Sequence, residues 1–156
     1  MEEAIFGAGC FWGVEYKLGK VKGVLSTEVG YTGGTTKNPT YKDVCTNTTG
    51  HAEVVKVTFD PSIVSYEELL ETFWDIHNPT TLNRQGWDIG TQYRSAVFYK
   101  DESQRLSAVK LKDTLDKSGK YSKPIVTEIV PFKEFYRAEE YHQKYHEKNK
   151  KSVFSL

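Results

Sequence analysis

Cysteine is scarce: the 156-residue chain has two. That is too few to staple a secreted scaffold and leaves reduced thiols and a cytoplasmic setting as the expectation. No apolar run approaches the roughly 18 residues that span a bilayer, so no membrane association is expected. Charge of one sign is not in excess either. Lys and Arg number 21, as do Asp and Glu, which gives no support for nucleic acid or anionic lipid as a partner. Internal repeats, low-complexity tracts and linker-like stretches are missing, so residues 1–156 read as a single domain, expected to act as a monomer. The acidic start Met1-Glu2-Glu3 enters strand-like sequence at once and does not read as a signal peptide.

What is present fits a globular enzyme-sized chain. Hydrophobic residues make up 38% and charged residues 27%, close to ordinary folded protein. The aromatic share of 13% is more distinctive and suggests a core or pocket partly built from rings. A short strand over 4–6 runs into Gly7-Ala8-Gly9-Cys10, and a helix over 11–17 follows, with Phe11, Val14 or Glu15, and Leu18 at helical spacing. A strand is expected over 24–31, a long threonine-rich loop over 35–49, and a strong strand over 51–59. Along the last, Glu53, Val55, Val57 and Phe59 share one face. Ser65-Tyr66-Glu67-Glu68 fits a capping box that opens a helix to about residue 77. A loop over 78–90, a strand over 93–99, and a helix capped by Asp101 and ending near Gly119 come next. A strand over 125–130 and a helix over 135–148 complete the chain. The order β-α-β-β-α-β-α-β-α predicts an α+β two-layer sandwich with a ferredoxin-like, split βαβ core, extended by an extra strand and helices.

Gly9-Cys10-Phe11-Trp12-Gly13 is the most informative stretch. It sets a cysteine at a strand-to-helix junction, where unpaired N–H groups and the positive dipole end favour thiolate over thiol. Flanking glycines allow a sharp turn and a close approach by another molecule. Two aromatics directly after the cysteine can wall an apolar pocket. A buried structural cysteine is the plainer reading of a lone thiol; the glycine frame and helix-start position favour a reactive one.

The chain resembles the methionine sulfoxide reductases of type A, whose active-site hallmark is GCFWG. The resemblance extends to GYTGG at 30–34, NPTY at 38–41, TGHAE at 49–53, GTQYRSA at 90–96 and AEEYHQKY at 138–145, in the family's order and across nearly the whole chain. It implies reduction of the S epimer of methionine sulfoxide, free or in oxidised proteins, to methionine, a repair of oxidative damage. No metal or organic cofactor is implied.

Reducing a sulfoxide calls for a thiolate, an acid for the departing oxygen, hydroxyl donors and an apolar seat for a methyl group. Cys10 is the expected nucleophile. For Glu53 the strand pattern alone leaves two readings open, a core-side carboxyl with a raised pKa or an edge glutamate reaching solvent. The resemblance implies the first, with Glu53 as proton donor. It likewise implies that Tyr41 and Tyr93 hydrogen-bond the sulfoxide oxygen, that Asp88 helps bind substrate, and that Phe11 and Trp12 seat the methyl. Taken alone, the tyrosines are equally packing residues and Asp88 a turn residue. Attack leaves Cys10 as a sulfenic acid, a reversible state.

Many members of that family carry resolving cysteines in a glycine-rich tail, whereas the segment from Lys150 to Leu156 has none. The family's usual disulfide relay to thioredoxin is therefore not expected through a tail. Either a small thiol or a glutaredoxin-like protein reduces Cys10 directly, or Cys45 is the resolver, with thioredoxin, glutaredoxin or a small thiol as the external reductant. Two rivals compete. A single-cysteine peroxidase would leave NPTY and Glu53 without a role. A metal-binding module would use His142 and His146, spaced i, i+4, but their charged neighbours read as a solvated helix face and no third ligand is evident. An inactive interaction scaffold is a weaker reading, and the basic run 148–151 reads as a solvated end.

Overall fold

The protein is described from a computed structural model, which defines residues 1–148. The segment 149–156 lies outside the described residues, and with it most of the basic run 148–151.

Strand β1 (Glu2–Ala8) leads into helix α1 (Phe11–Gly19) and returns as β2 (Val24–Thr32). A short helix α2 (Tyr41–Cys45) precedes β3 (Ala52–Phe59), α3 (Tyr66–Asp75) and a small hairpin of β4 (Arg84–Gln85) and β5 (Asp88–Ile89). A 3-10 turn at Thr91–Tyr93 delivers the chain into β6 (Ser95–Tyr99). Then come α4 (Glu102–Lys117), β7 (Glu128–Pro131), β8 (Tyr136–Arg137) and a 3-10 turn at Glu140–His142.

The main sheet runs β7-β6-β1-β3-β2-β8. In its four central strands each neighbouring pair is antiparallel. Each of the units β1-α1-β2 and β3-α3-β6 therefore has a strand of the other inserted between its own parallel pair, which is the expected split βαβ core. Strand β7 extends one edge in parallel with β6, and β8 extends the other antiparallel to β2.

One sheet face, with Phe6, Val55, Val57 and Val97, packs under α1, α3 and α4 through Leu18, Leu69, Phe73 and Ala108. The other face carries Ile5, Val54, Ala96 and Phe98 and is covered by Phe132 and Phe135 from the C-terminal segment. Strand β3 is covered on both sides, and it carries apolar residues on both faces, Val55, Val57 and Phe59 on one and Ala52 and Val54 on the other. The caps read from sequence are in place. Ser65 accepts from the Glu68 N–H at 3.1 Å while Glu68 accepts from the Ser65 N–H at 3.2 Å, and Asp101 accepts from the Gln104 N–H at 2.9 Å. Such caps contribute about 1 kcal/mol each.

Three local expectations are corrected. Residues 35–49 are not all loop: Thr40 and Asp43 form a second capping box that nucleates α2. The loop 78–90 contains the β4–β5 hairpin. The helix expected over 135–148 is absent over most of that span, where the chain is extended and then 3-10, with helical residues only at 145–148. Long-range bonds override the helical pattern there. The Gln143 amide brackets both the N–H and the C=O of Val29 at 2.9 Å, and the buried Glu15 carboxylate accepts from the Lys144 N–H at 2.7 Å.

Candidate active site

Strand β1 ends against the hairpin. Gly9 adopts φ +102°, and a Cβ at this position would stand 2.8 Å from the Gln85 side chain, so glycine alone fits. Cys10 follows as the N-cap of α1 without a side-chain capping bond. Its half-buried thiol faces the backbone N–H groups of Trp12 and Gly13, the arrangement the sequence predicted. The predicted thiolate preference is corrected, however. Burial pushes the thiol pKa up to about 11; the nearby Glu53 and Asp88 charges add to the rise, and the two N–H groups offset only part of it. The resting group is a thiol.

Glu53 lies opposite Tyr31 in the β2–β3 ladder, and its side chain is 1% exposed. The core-side reading is therefore the observed one. One carboxyl oxygen accepts from the Phe11 N–H at 3.1 Å, the first residue of α1, and the other is buried without a partner. Burial raises the pKa to about 8, opposed by that N–H and assisted by the Asp88 charge. At neutral pH the nucleophile and the acid are thus both uncharged, each holding its proton.

The remaining predicted residues converge on this pair. Tyr41, first in α2, has its hydroxyl hydrogen-bonded to Cys45, and burial together with that bond and the Glu53 charge holds it protonated far above the usual tyrosine range. Burial and the Glu53 and Cys45 charges raise Tyr93 to about 12. Both remain hydroxyl donors at any physiological pH. The Asp88 carboxylate, exposed on β5, acts on Cys10, Glu53 and Tyr93 alike. Trp12 is partly exposed beside Cys10. Its indole N–H donates to His142 Nδ1 at 2.9 Å and its ring stacks on Tyr145 at 3.8 Å. The Phe11 ring is buried against Tyr31 and His142, so the aromatic surface open next to the thiol belongs to Trp12. Cys45 is exposed and hydrogen-bonded to the Tyr41 hydroxyl.

Sequence reasoning left several supporting residues without roles. Glu139 accepts from the Tyr31 hydroxyl and from the Tyr41 N–H, both at 3.0 Å, and so pins the start of α2. His142 is fully buried, with rings of Phe11, Trp12 and Tyr41 around it. Both belong to the block 138–145, which was the available signal. The i, i+4 metal reading does not survive. His142 and His146 do not share a helix, the His142 Nδ1 is occupied by Trp12, and among the described residues no cluster of His, Cys, Asp and Glu could hold a metal ion.

Asn47 gave no sequence signal at all. With φ +65°, just past α2, it accepts from both the N–H and the hydroxyl of Thr91 in the turn that carries Tyr93. It therefore clasps the Tyr41 segment to the Tyr93 segment. Asn47→Gly preserves the left-handed backbone and removes the clasp. It should lower kcat/KM about threefold to tenfold, the scale of one or two hydrogen bonds of ~0.5–1.5 kcal/mol, with little change in Tm. An unchanged kcat/KM would mean that the two hydroxyls keep their spacing without it.

Comparison with known proteins agrees with this geometry. The family model for peptide methionine sulfoxide reductase matches residues 2–156. Peptide methionine sulfoxide reductase MsrA of Methanothermobacter thermautotrophicus is 61% identical over 148 residues, covering 95% of this chain and 88% of that protein. Among solved structures, reduced Mxr1 of Saccharomyces cerevisiae superposes with a TM-score of 0.90 at 38% identity, covering 96% of this chain and 86% of that one. The same yeast protein in complex with Trx2 gives a TM-score of 0.65 at 26% identity over 92% of this chain and 84% of that one.

Proposed function

The chain belongs to the peptide methionine sulfoxide reductase family, and we propose that it performs that family's reaction with Cys10 as nucleophile and Glu53 as acid. It reduces methionine sulfoxide to methionine and so repairs oxidative damage. The observation that carries the assignment of roles is the protonated, desolvated Glu53 carboxyl set at the first turn of the Cys10 helix.

The sulfoxide oxygen takes the place beside the unpartnered Glu53 oxygen, with the hydroxyls of Tyr41 and Tyr93 donating to it. The methyl group lies on the Trp12–Phe11 side, and the Asp88 carboxylate accepts from the substrate's N–H. Proton transfer from Glu53 to the oxygen makes the sulfoxide sulfur strongly electrophilic. The positive charge developing there lowers the cost of ionising the adjacent thiol, and the Trp12 and Gly13 N–H groups hold the resulting thiolate. A resting thiol with a raised pKa is thus activated by its substrate and stays inert without it. Cys10 sulfur bonds to the sulfoxide sulfur, the oxygen passes to Cys10, and the products are methionine and a Cys10 sulfenic acid. The substrate sulfur gains two electrons and Cys10 sulfur loses two.

An external dithiol of the thioredoxin class then attacks the sulfenic acid, releasing water and restoring the thiol as the dithiol becomes a disulfide. The relative solved together with Trx2 supports that choice of reductant. Cys45, exposed and paired with Tyr41, takes the lesser part of alternative resolver. The protein needs no metal or organic cofactor in this scheme.

The test is turnover with dithiothreitol on separated S and R epimers of methionine sulfoxide. Consumption of the S epimer alone is the expected outcome. Equal use of both epimers, or of neither, would contradict the placement of oxygen and methyl described above.

A further inference from the structure

The β4–β5 hairpin that supplies Asp88 exposes apolar surface that the fold does not use. In the eight residues from Leu82 to Ile89, three large apolar side chains stand in solvent: Leu82 at 67% exposure, Trp87 at 98% and Ile89 at 71%. Trp87 occupies the two-residue turn between the paired residues Gln85 and Asp88, with Gly86 at φ +59° allowing it. Burying a tryptophan removes about 150–250 Å² from water. A ring left entirely outside therefore contributes nothing to folding and invites association.

The hairpin is also fastened to the reaction centre. Gln85 packs on Gly9, one residue from the nucleophile, and its amide bridges the N–H and C=O of Asn78. The Asp88 charge reaches Cys10, Glu53 and Tyr93. Trp87 consequently stands outside the sulfoxide site, at the exposed hairpin tip one peptide bond from Asp88. A second exposed aromatic, Tyr141 at 59%, borders the site elsewhere, against the buried His142 beneath Trp12 and Tyr41.

We infer that Trp87 is a specificity-determining residue that docks the apolar side chains flanking an oxidised methionine in an extended polypeptide. The inference rests on the reading of Cys10, Glu53 and Asp88 as the sulfoxide site. An extended chain advances about 3.3–3.6 Å per residue, so a neighbour one or two positions from the methionine reaches past Asp88 to the hairpin tip. The Asp88 carboxylate is placed to accept an N–H of the same peptide. Free methionine sulfoxide has no side chain to offer Trp87 and is indifferent to it. The occupant is therefore an unfolded or surface-exposed stretch in which oxidised methionine stands among apolar residues.

The experiment compares three S-sulfoxides: free methionine sulfoxide, a blocked hexapeptide with leucine and phenylalanine on both sides, and one with glycine and serine there. The wild-type protein should favour the apolar peptide over the polar one by about tenfold in kcat/KM, the effect of one aromatic anchor at an interface. Trp87→Ala should erase that advantage and leave kcat/KM for the free amino acid unchanged. Preference for the apolar peptide that survives Trp87→Ala, or an equal loss on all three substrates, overturns the proposal. Wild-type protein that turns over no sulfoxide overturns the underlying reading and this one with it. Trp87 makes no contact that stabilises the fold, and an unchanged Tm for the variant confirms that only docking was altered.

Discussion

Cys10→Ser should show no detectable turnover of methionine sulfoxide at any pH while melting no lower than the wild type. The loss is absolute because of what the nucleophile must become. Sulfur can accept the transferred oxygen as a sulfenic acid, whereas a serine hydroxyl would have to become a peroxide, which the reaction cannot drive. The stability side runs the other way. Cys10 is the N-cap of α1 and makes no side-chain capping bond. Serine is among the preferred N-caps, worth about 0.5–2 kcal/mol over non-capping residues. The wild-type residue thus forgoes helix stability to keep a thiol at this position. Thermal melting alongside the activity assay reads both effects. Turnover above background in the serine variant would remove Cys10 from the chemistry, and a lowered Tm would contradict its placement as a cap.

Glu53→Gln should cost about 10²–10⁴-fold in kcat, the range associated with a positioned general acid. The wild-type rate should also fall as pH rises through about 8, where Glu53 gives up its proton, and the glutamine variant should lack that descent. Stability is expected to improve. In the unfolded chain Glu53 ionises near 4.5, yet the fold holds its proton to about 8. Its contribution is therefore intact below 4.5 and declines as pH rises toward 8, by about 1.4 kcal/mol per pH unit.

His77 acts in the opposite sense. It contacts the Phe73 carbonyl at 2.6 Å and the Ser95 hydroxyl at 2.7 Å, and burial lowers its pKa from 6.5 to about 4. Its contribution is present above 6.5 and is lost as pH falls toward 4. The two slopes offset each other between about 4.5 and 6.5, and between 6.5 and 8 Glu53 acts alone. Wild-type stability should consequently drop by roughly 2 kcal/mol from pH 6.5 to 8, and Glu53→Gln should flatten that decline. Urea denaturation at a series of pH values measures it. Parallel curves for the two proteins would mean that Glu53 is ionised in the folded state.

The elements whose shape is decided locally were readable from the sequence. Helix α1 shows its apolar spacing, β3 its two-residue period, and α3 its Ser65–Glu68 box. The side toward which Glu53 points was half-readable, because period fixes which residues share a face and only tertiary context fixes which face is closed. The segment 135–144 was not readable. Its charged and aromatic residues recur at spacings a helix would tolerate, but its path is set by Gln143 on Val29 and Glu15 on Lys144, partners 114 and 129 positions away. The ionisation state of Cys10 was misread for a related reason. A helix start is visible in sequence, and the depth at which it is buried is not.

The support for Trp12 has a consequence for how the protein is born. The histidine that receives its indole N–H lies 130 residues further along the chain, and β8 and the Gln143 bracket close over β2 only when those residues are available. A nascent chain emerging from a ribosome presents the Cys10 turn well before His142, and cannot finish the wall beside it until that histidine has emerged. Contacts of this span form late and slow the search for the native state. The reactive thiol therefore stays exposed as an ordinary cysteine until residues 136–144 have emerged, and it acquires its enclosure when they strap helix α1.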